Sequence, residues 1–104
     1  MSTVVATDGL VEHYLAPTSW DGSSTYVRDY QTVTIWCTVA PSVAATIQTS
    51  PDGNVYLNEN ALTNTGAITN TISTASPAWY RVPAGAYIKL TGGTGGTYFI
   101  SGGQ

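Results

Sequence analysis

Tyr30 to Ala40 reads YQTVTIWCTVA. Val33, Ile35, Cys37 and Val39 take one set of alternate positions, and Thr32, Thr34, Trp36 and Thr38 take the other. That period of two belongs to a β-strand with one buried face. Ala40-Pro41-Ser42 interrupts it, and Val43, Ala45 and Ile47 resume the alternation opposite Ala44, Thr46 and Gln48, so the reading is two adjacent strands. Ser50-Pro51-Asp52-Gly53 then supplies a residue with fixed φ, a side chain that accepts backbone bonds, and a residue free to take positive φ. A tight hairpin into Val55-Tyr56-Leu57 is expected there.

Beyond this centre the pattern continues. AITNTIST, Ala67 to Thr74, predicts a strand with Ile68 and Ile72 on one face, weakened by the Asn70 between them. Trp79 to Val82 is a short strand stopped by Pro83-Ala84-Gly85. Ala86, Ile88 and Leu90 alternate with Tyr87, Lys89 and Thr91. The loop Gly92 to Gly96 leads on to Thr97-Tyr98-Phe99-Ile100-Ser101, and the expectation is a C-terminal hairpin with a flexible tip. No apolar spacing of i, i+3, i+4, i+7 persists over three turns, so little helix is expected. Strands broken by turn signals every 8 to 12 residues or so indicate an all-β, antiparallel β-sandwich, jelly-roll-like in character. The division expected is an N-terminal arm or edge segment, residues 1–29, preceding a sandwich formed by residues 30–104. Short apolar pairs in the first part, Val4-Val5, Leu10-Val11 and Tyr14-Leu15, would need a neighbour to cover them if they stood out as an arm. On that reading, deleting residues 1–20 leaves the isolated fold intact.

Length and charge bound the function. With 104 residues there is room for one small core. Three basic residues, six acidic residues and a net charge of −3 give no electrostatic footprint for nucleic acid or an anionic membrane. Neither partner is expected. Met1 to Leu10 lacks a basic start followed by an apolar run, and no stretch approaches the roughly 20 apolar residues of a membrane span. Synthesis in a reducing cytoplasm is the corresponding expectation. One cysteine closes no internal disulfide.

Candidate chemistry is sparse. Nucleophilic catalysis needs a base beside its nucleophile, and His13 is the single imidazole, in the least regular part of the chain. Cys37 shares its parity with Val33 and Ile35, and so reads as a small buried hydrophobe. Of the carboxylates that could form a hydrolytic pair, Asp8, Asp21 and Asp52 each precede glycine, which marks turns. Asp52-Gly53-Asn54 with Asn58-Glu59-Asn60 offers hard oxygens, but the spacing is not that of a calcium loop. No enzyme activity, cofactor or metal site is expected. Seven Tyr, three Trp and one Phe are the most suggestive feature, because these side chains tolerate both burial and wet contact. They could fill the sandwich as cross-strand partners, stack on a sugar, or anchor a protein interface. Trp20, flanked by Pro17-Thr18-Ser19 and Asp21-Gly22, looks hard to bury locally and is the leading contact residue. With it, Val4, Val5, Leu10, Tyr14 and Leu15 make up the candidate protein interface.

TIQTSPDGNVY, Thr46 to Tyr56, followed by the Ala78 to Val82 strand and the glycine-rich final segment, resembles the small jelly-roll or β-sandwich cement proteins that decorate capsids of tailed bacteriophages. The resemblance covers about half the chain. Position 56 departs from it, being Tyr56 where Trp is expected, and residues 1–29 lie outside it. What it implies is a non-enzymatic virion structural protein on the capsid surface, a homotrimer that binds the major capsid protein and bridges its subunits. A tail, baseplate or fibre module and a carbohydrate-binding module are the alternative expectations.

Overall fold

In the computed structural model the described backbone comprises residues 2–7, 10–83 and 85–103, and the described side chains are those of residues 14–83 and 85–103. Twelve strands follow one another without a helix among the described residues: β1 (Ser2–Thr7), β2 (Leu10–Trp20), β3 (Thr25–Tyr26), β4 (Thr32–Val39), β5 (Val43–Ser50), β6 (Leu57–Asn58), β7 (Ala61–Thr63), β8 (Ile68–Thr69), β9 (Thr71–Ile72), β10 (Ala78–Pro83), β11 (Tyr87–Thr94) and β12 (Thr97–Gly103). One sheet runs β1-β2-β12-β4-β10-β7-β8. The other runs β3-β11-β5-β6, with β9 also paired to β5. Every pairing is antiparallel. The fold is an antiparallel β-sandwich.

Its core is set by the alternation. Val33, Ile35 and Cys37 from β4 meet Ala45 and Ile47 from β5, Ile72, Tyr80 and Val82, Ile88, and Ile100 in one cluster. Val39 departs from this pattern and is 55% exposed. The reason is local: β12 pairs Thr97 with Val39 but Tyr98 with Cys37, so Thr38 is an extra residue on β4. Such a bulge turns the following side chain out of register.

Three connections differ from the sequence reading, and all three for one reason: the chain changes sheet where a hairpin or a continuous strand was expected. β4 and β5 are consecutive but lie in opposite sheets, and Pro41 at the corner between them is fully buried. Proline has no N–H to leave unpaired, which suits a buried corner. Asn70 splits the 67–74 run into β8, in the larger sheet, and β9, in the smaller. Ile72 is therefore fully buried while Ile68 stands 65% exposed; the Asn70 carbonyl meanwhile accepts the Ile47 N–H at 2.8 Å. β11 and β12 likewise belong to different sheets, so no C-terminal hairpin forms. The backbone turns between them at Gly95 and Gly96, both at positive φ (73° and 87°).

The expected hairpin after β5 does form, but it is not tight. Pairing resumes only at Thr49↔Leu57, because side chains capture the intervening backbone. Ser50 Oγ accepts the Asp52 and Gly53 N–H groups, and Asp52 Oδ1 accepts those of Asn54 and Val55 at 2.8 and 3.0 Å.

Candidate adhesion surface

Trp20 corrects the expectation of an exposed contact residue. It is only 9% exposed, and its ring belongs to the core cluster. β2 lies against β12 with Trp20 opposite Tyr98, so strand alternation aims the ring inward despite polar neighbours in sequence. The indole N–H stays at the rim, donating to Thr25 Oγ1 at 2.9 Å and to the Ser23 carbonyl at 3.2 Å. A buried tryptophan thus keeps its polar handle satisfied. Leu15 is also in the core, whereas Tyr14 beside it is 39% exposed. The side chains of Val4, Val5 and Leu10, and of His13, lie outside the described residues; their backbones pair across the β1–β2 hairpin as Val4↔His13, Val5↔Glu12 and Thr7↔Leu10. β1 forms one outer edge of the larger sheet. Leu15, Trp20 and Val27 all reach the core, so these three members of the 1–29 segment pack into the sandwich.

The two tryptophans left open between core, sugar and interface turn out to be neighbours on the outer face of the larger sheet. Trp79 on β10 stands opposite Trp36 on β4, and Trp36 stands opposite Phe99 on β12. Because directly opposed residues share a face, the three rings form one row running across three adjacent strands. All three are partly exposed, Trp36 by 37%. Trp36 Nε1 donates to Ser101 Oγ at 2.8 Å, and the Arg81 guanidinium lies 4.9 Å from the centroid of the Trp79 ring, a cation–π contact. The next row on the same face is Ile68, Leu62, Arg81, Thr34 and Ser101. Nothing in the sequence placed Phe99, Leu62 or Ile68 with the tryptophans. The signal available was parity: Phe99 alternates with Ile100, which is buried.

The outer face of the smaller sheet is built differently. There Thr91 Oγ1 donates to Gln48 Oε1 at 2.6 Å, and Gln48 Nε2 donates to Asn58 Oδ1 at 3.0 Å. Lys89 Nζ sits 4.1 Å from the Tyr56 ring centroid, Tyr56 is hydrogen-bonded to Ser24, and Tyr26 meets Tyr87 edge-on at 5.3 Å. These polar groups are turned toward one another.

The remaining chemistry is local. Ser23 hydroxyl and N–H, both donating to Asp21, hold its carboxyl below the ordinary value. The Asn54 and Val55 N–H groups, then the Ser50 hydroxyl, do the same for Asp52. Both are turn carboxylates, as their following glycines indicate. Burial raises the pKa of the Cys37 thiol, which donates to the Val39 carbonyl at 3.2 Å. Burial also raises that of Tyr98, with Cys37 and Tyr80 adding to the effect. Among the described residues, no three His, Cys, Asp or Glu side chains gather as a metal site, and no helix is long and apolar enough to cross a membrane.

The hollows among the described residues are polar or open. One of about 280 Å³ is lined by Thr63, Thr65, Thr69, Thr71, Ser73 and Tyr80 among others. Its groups bond internally, Thr63 Oγ1 with Thr65 Oγ1 at 2.9 Å and the Ser73 N–H with Tyr80 Oη at 3.0 Å. A broad, open one of about 640 Å³ lies between Trp20-Asp21 and Gly95 to Tyr98. Compared with family models, with curated proteins and with solved structures, the chain finds no significant match in any of the three.

Proposed function

We propose that this chain is a non-enzymatic virion structural protein, a capsid decoration protein that binds the major capsid protein as a homotrimer and bridges its subunits. The observation that carries the reading is the β1–β2 hairpin at the edge of the larger sheet. An edge strand offers unpaired backbone groups to a strand from another chain. Val4 and Val5 lie on this strand, and Leu10 and the exposed Tyr14 on β2 beside it. The resemblance of Thr46 to Tyr56 to phage cement proteins supplies the identity of the shell. Adhesion of this kind requires only contacts: each large side chain buried against a neighbour contributes roughly 1.5–3 kcal/mol before ordering costs. Three copies about one axis raise the total through avidity.

The test is a truncation that spares the core. Removing residues 1–20 also removes Leu15 and Trp20 from the core, so the intact fold expected of that deletion from sequence is withdrawn. Removing residues 1–9 takes away β1 alone. That variant should keep a wild-type circular dichroism spectrum and lose co-sedimentation with capsids; unchanged co-sedimentation removes the edge hairpin as the contact. Imaging labelled copies on virions should give a distribution over the shell. Label confined to a tail or a single vertex transfers the protein to a tail, baseplate or fibre.

A further inference from the structure

The β1–β2 hairpin is joined to the sandwich over only part of its length. β2 pairs with β12 from Trp20↔Tyr98 to Leu15↔Gly102, and with β1 from Leu15↔Ser2 to Leu10↔Thr7. The two ladders share Leu15 alone. We infer that β1 and the Leu10–Tyr14 part of β2 form an arm that opens and closes independently of the sandwich, with Leu15 as its anchor and a bulge at Ala16-Pro17 as its boundary. The inference concerns the free chain and does not rest on the decoration reading.

Three observations carry it. The first is the register. Leu10–Tyr14 pair with β1 and with no other strand among the described residues, so over about 17 Å the sheet is a ribbon of two strands. Such a ribbon is only marginally stable in water, and a third strand or a packed face is what makes it persist. The second is the joint. Between Thr18↔Ile100 and Leu15↔Gly102 the register shifts by one residue, so that Ala16 and Pro17 together oppose Ser101. A bulge interrupts the ladder and bends its strand, and a proline within it has no N–H to donate. The Ala16 carbonyl accepts locally, from the Thr18 hydroxyl at 2.8 Å. The third is where the core stops. Leu15 and Trp20 have opposite parity in an unbroken strand, yet both are buried in the same cluster, because the extra residue of the bulge turns Leu15 back inward. Its partner Gly102 lies under the Tyr30 ring, so closely that an added Cβ would stand 2.8 Å from Tyr30 Cγ. Leu15 is thus held by the sandwich, whereas Tyr14, the next residue outward, is exposed and outside the cluster. Opening the arm breaks its own ladder and no described contact of the core. Openings of that kind lie at the low end of the free energies a protein samples, far below global unfolding. The arm is completed by a third strand rather than by the core, so its ordering is coupled to pairing.

Native-state amide hydrogen exchange of the whole chain, read residue by residue by NMR, tests this directly. In the free protein, the amides that bond across the hairpin within residues 3–7 and 10–14 should exchange about a hundredfold faster, or more, than those of Ile35, Ile47 and Ile88 in the core strands. Urea below the unfolding midpoint should speed the core amides and leave the arm amides nearly unchanged, because the arm opens without exposing core surface. The step in protection should fall at Ala16-Pro17, with the amides of residues 18–20 that bond β12 in the slow class. Removing residues 1–9 should leave the urea midpoint of the sandwich where it is. Arm amides within about tenfold of the core amides, or sharing their urea dependence, overturn the inference. So does a step in protection placed elsewhere on β2. A fall of about 1 M in the midpoint on removing residues 1–9 would make β1 part of the cooperative unit and overturn it as well.

Discussion

Replacing Trp20 by alanine separates a core residue from a contact residue, because the two roles differ by several kcal/mol in stability. Trp20 is 9% exposed, and a tryptophan of this kind takes about 150–250 Å² out of water. At about 25 cal/mol per Å² the lost transfer energy is about 4–6 kcal/mol, an upper bound given a partly collapsed unfolded chain. Measured aromatic-to-alanine losses in cores of about 3–5 kcal/mol agree with that bound. The Nε1 bonds to Thr25 and Ser23 add only about 1 kcal/mol, since the rim is wet enough to rehydrate their acceptors. A loss of about 4 kcal/mol is then a large part of the 5–15 kcal/mol typical of a domain. With a urea slope of about 1–3 kcal/mol per M, the midpoint should fall by about 2 M. The assay is urea unfolding followed by far-UV circular dichroism, which does not depend on the fluorophore removed. Trp20→Phe keeps most of the ring and should cost about 1–2 kcal/mol. Trp36→Ala, on the outer face, should cost about 1 kcal/mol, chiefly its bond to Ser101. If Trp20→Ala shifts the midpoint no more than Trp36→Ala does, the ring is not in the core and the assignment of β2 to the sandwich fails.

Gly93 has φ +81°, and an added Cβ would lie 2.8 Å from Ala45 Cβ and 3.2 Å from the Val43 carbonyl oxygen, whereas Gly66 has φ +86° and nothing within 4 Å. Both alanine variants should lose about 1–2 kcal/mol to the left-handed conformation, and Gly93→Ala about 1–3 kcal/mol more from crowding; equal midpoints in urea would contradict the packing of β11 on β5. Asp21 and Asp52 titrate below their ordinary value in the fold, so the unfolded chain binds more protons and stability rises with pH through that range. Their contribution should be complete above the unfolded pKa and should disappear as pH falls below about 4; Tm against pH should flatten in this limb for Asp52→Asn, and an unchanged slope would sink the assignment. Cys37 has its pKa raised by burial, so its contribution is complete below the unfolded thiol's pKa and is lost as pH rises past it. Labelling of Cys37 by a thiol reagent should accordingly keep pace with unfolding, and rapid labelling of the native protein would show an open thiol.

Alternation along the chain was enough to pick out most of the core. Val33, Ile35, Cys37, Ala45, Ile47, Ala86 and Ile88 are buried in the parity read from YQTVTIWCTVA and its neighbours, because successive strand side chains must point to opposite faces wherever the strand goes. Turn chemistry was legible as well, since Asp21 and Asp52 act on backbone within three residues of themselves. Parity does not say which sheet a strand joins, and that is where the reading of β4–β5, Asn70 and β11–β12 failed. Exposing Ile68 while burying Ile72, or burying Trp20 among polar neighbours, depends on partners far away in sequence.

The aromatic row has the same origin. Trp79, Trp36 and Phe99 are separated by 43 and 63 positions in the chain, yet stand side by side through the registers of β10, β4 and β12. The amino-acid order by itself determined a β-sandwich of low charge, with its strands, its turns and most of its inward-facing residues, because those follow from local stereochemistry and hydrophobic period. Only the tertiary structure decided which outward-facing side chains become neighbours, because register and sheet assignment are settled by long-range backbone pairing.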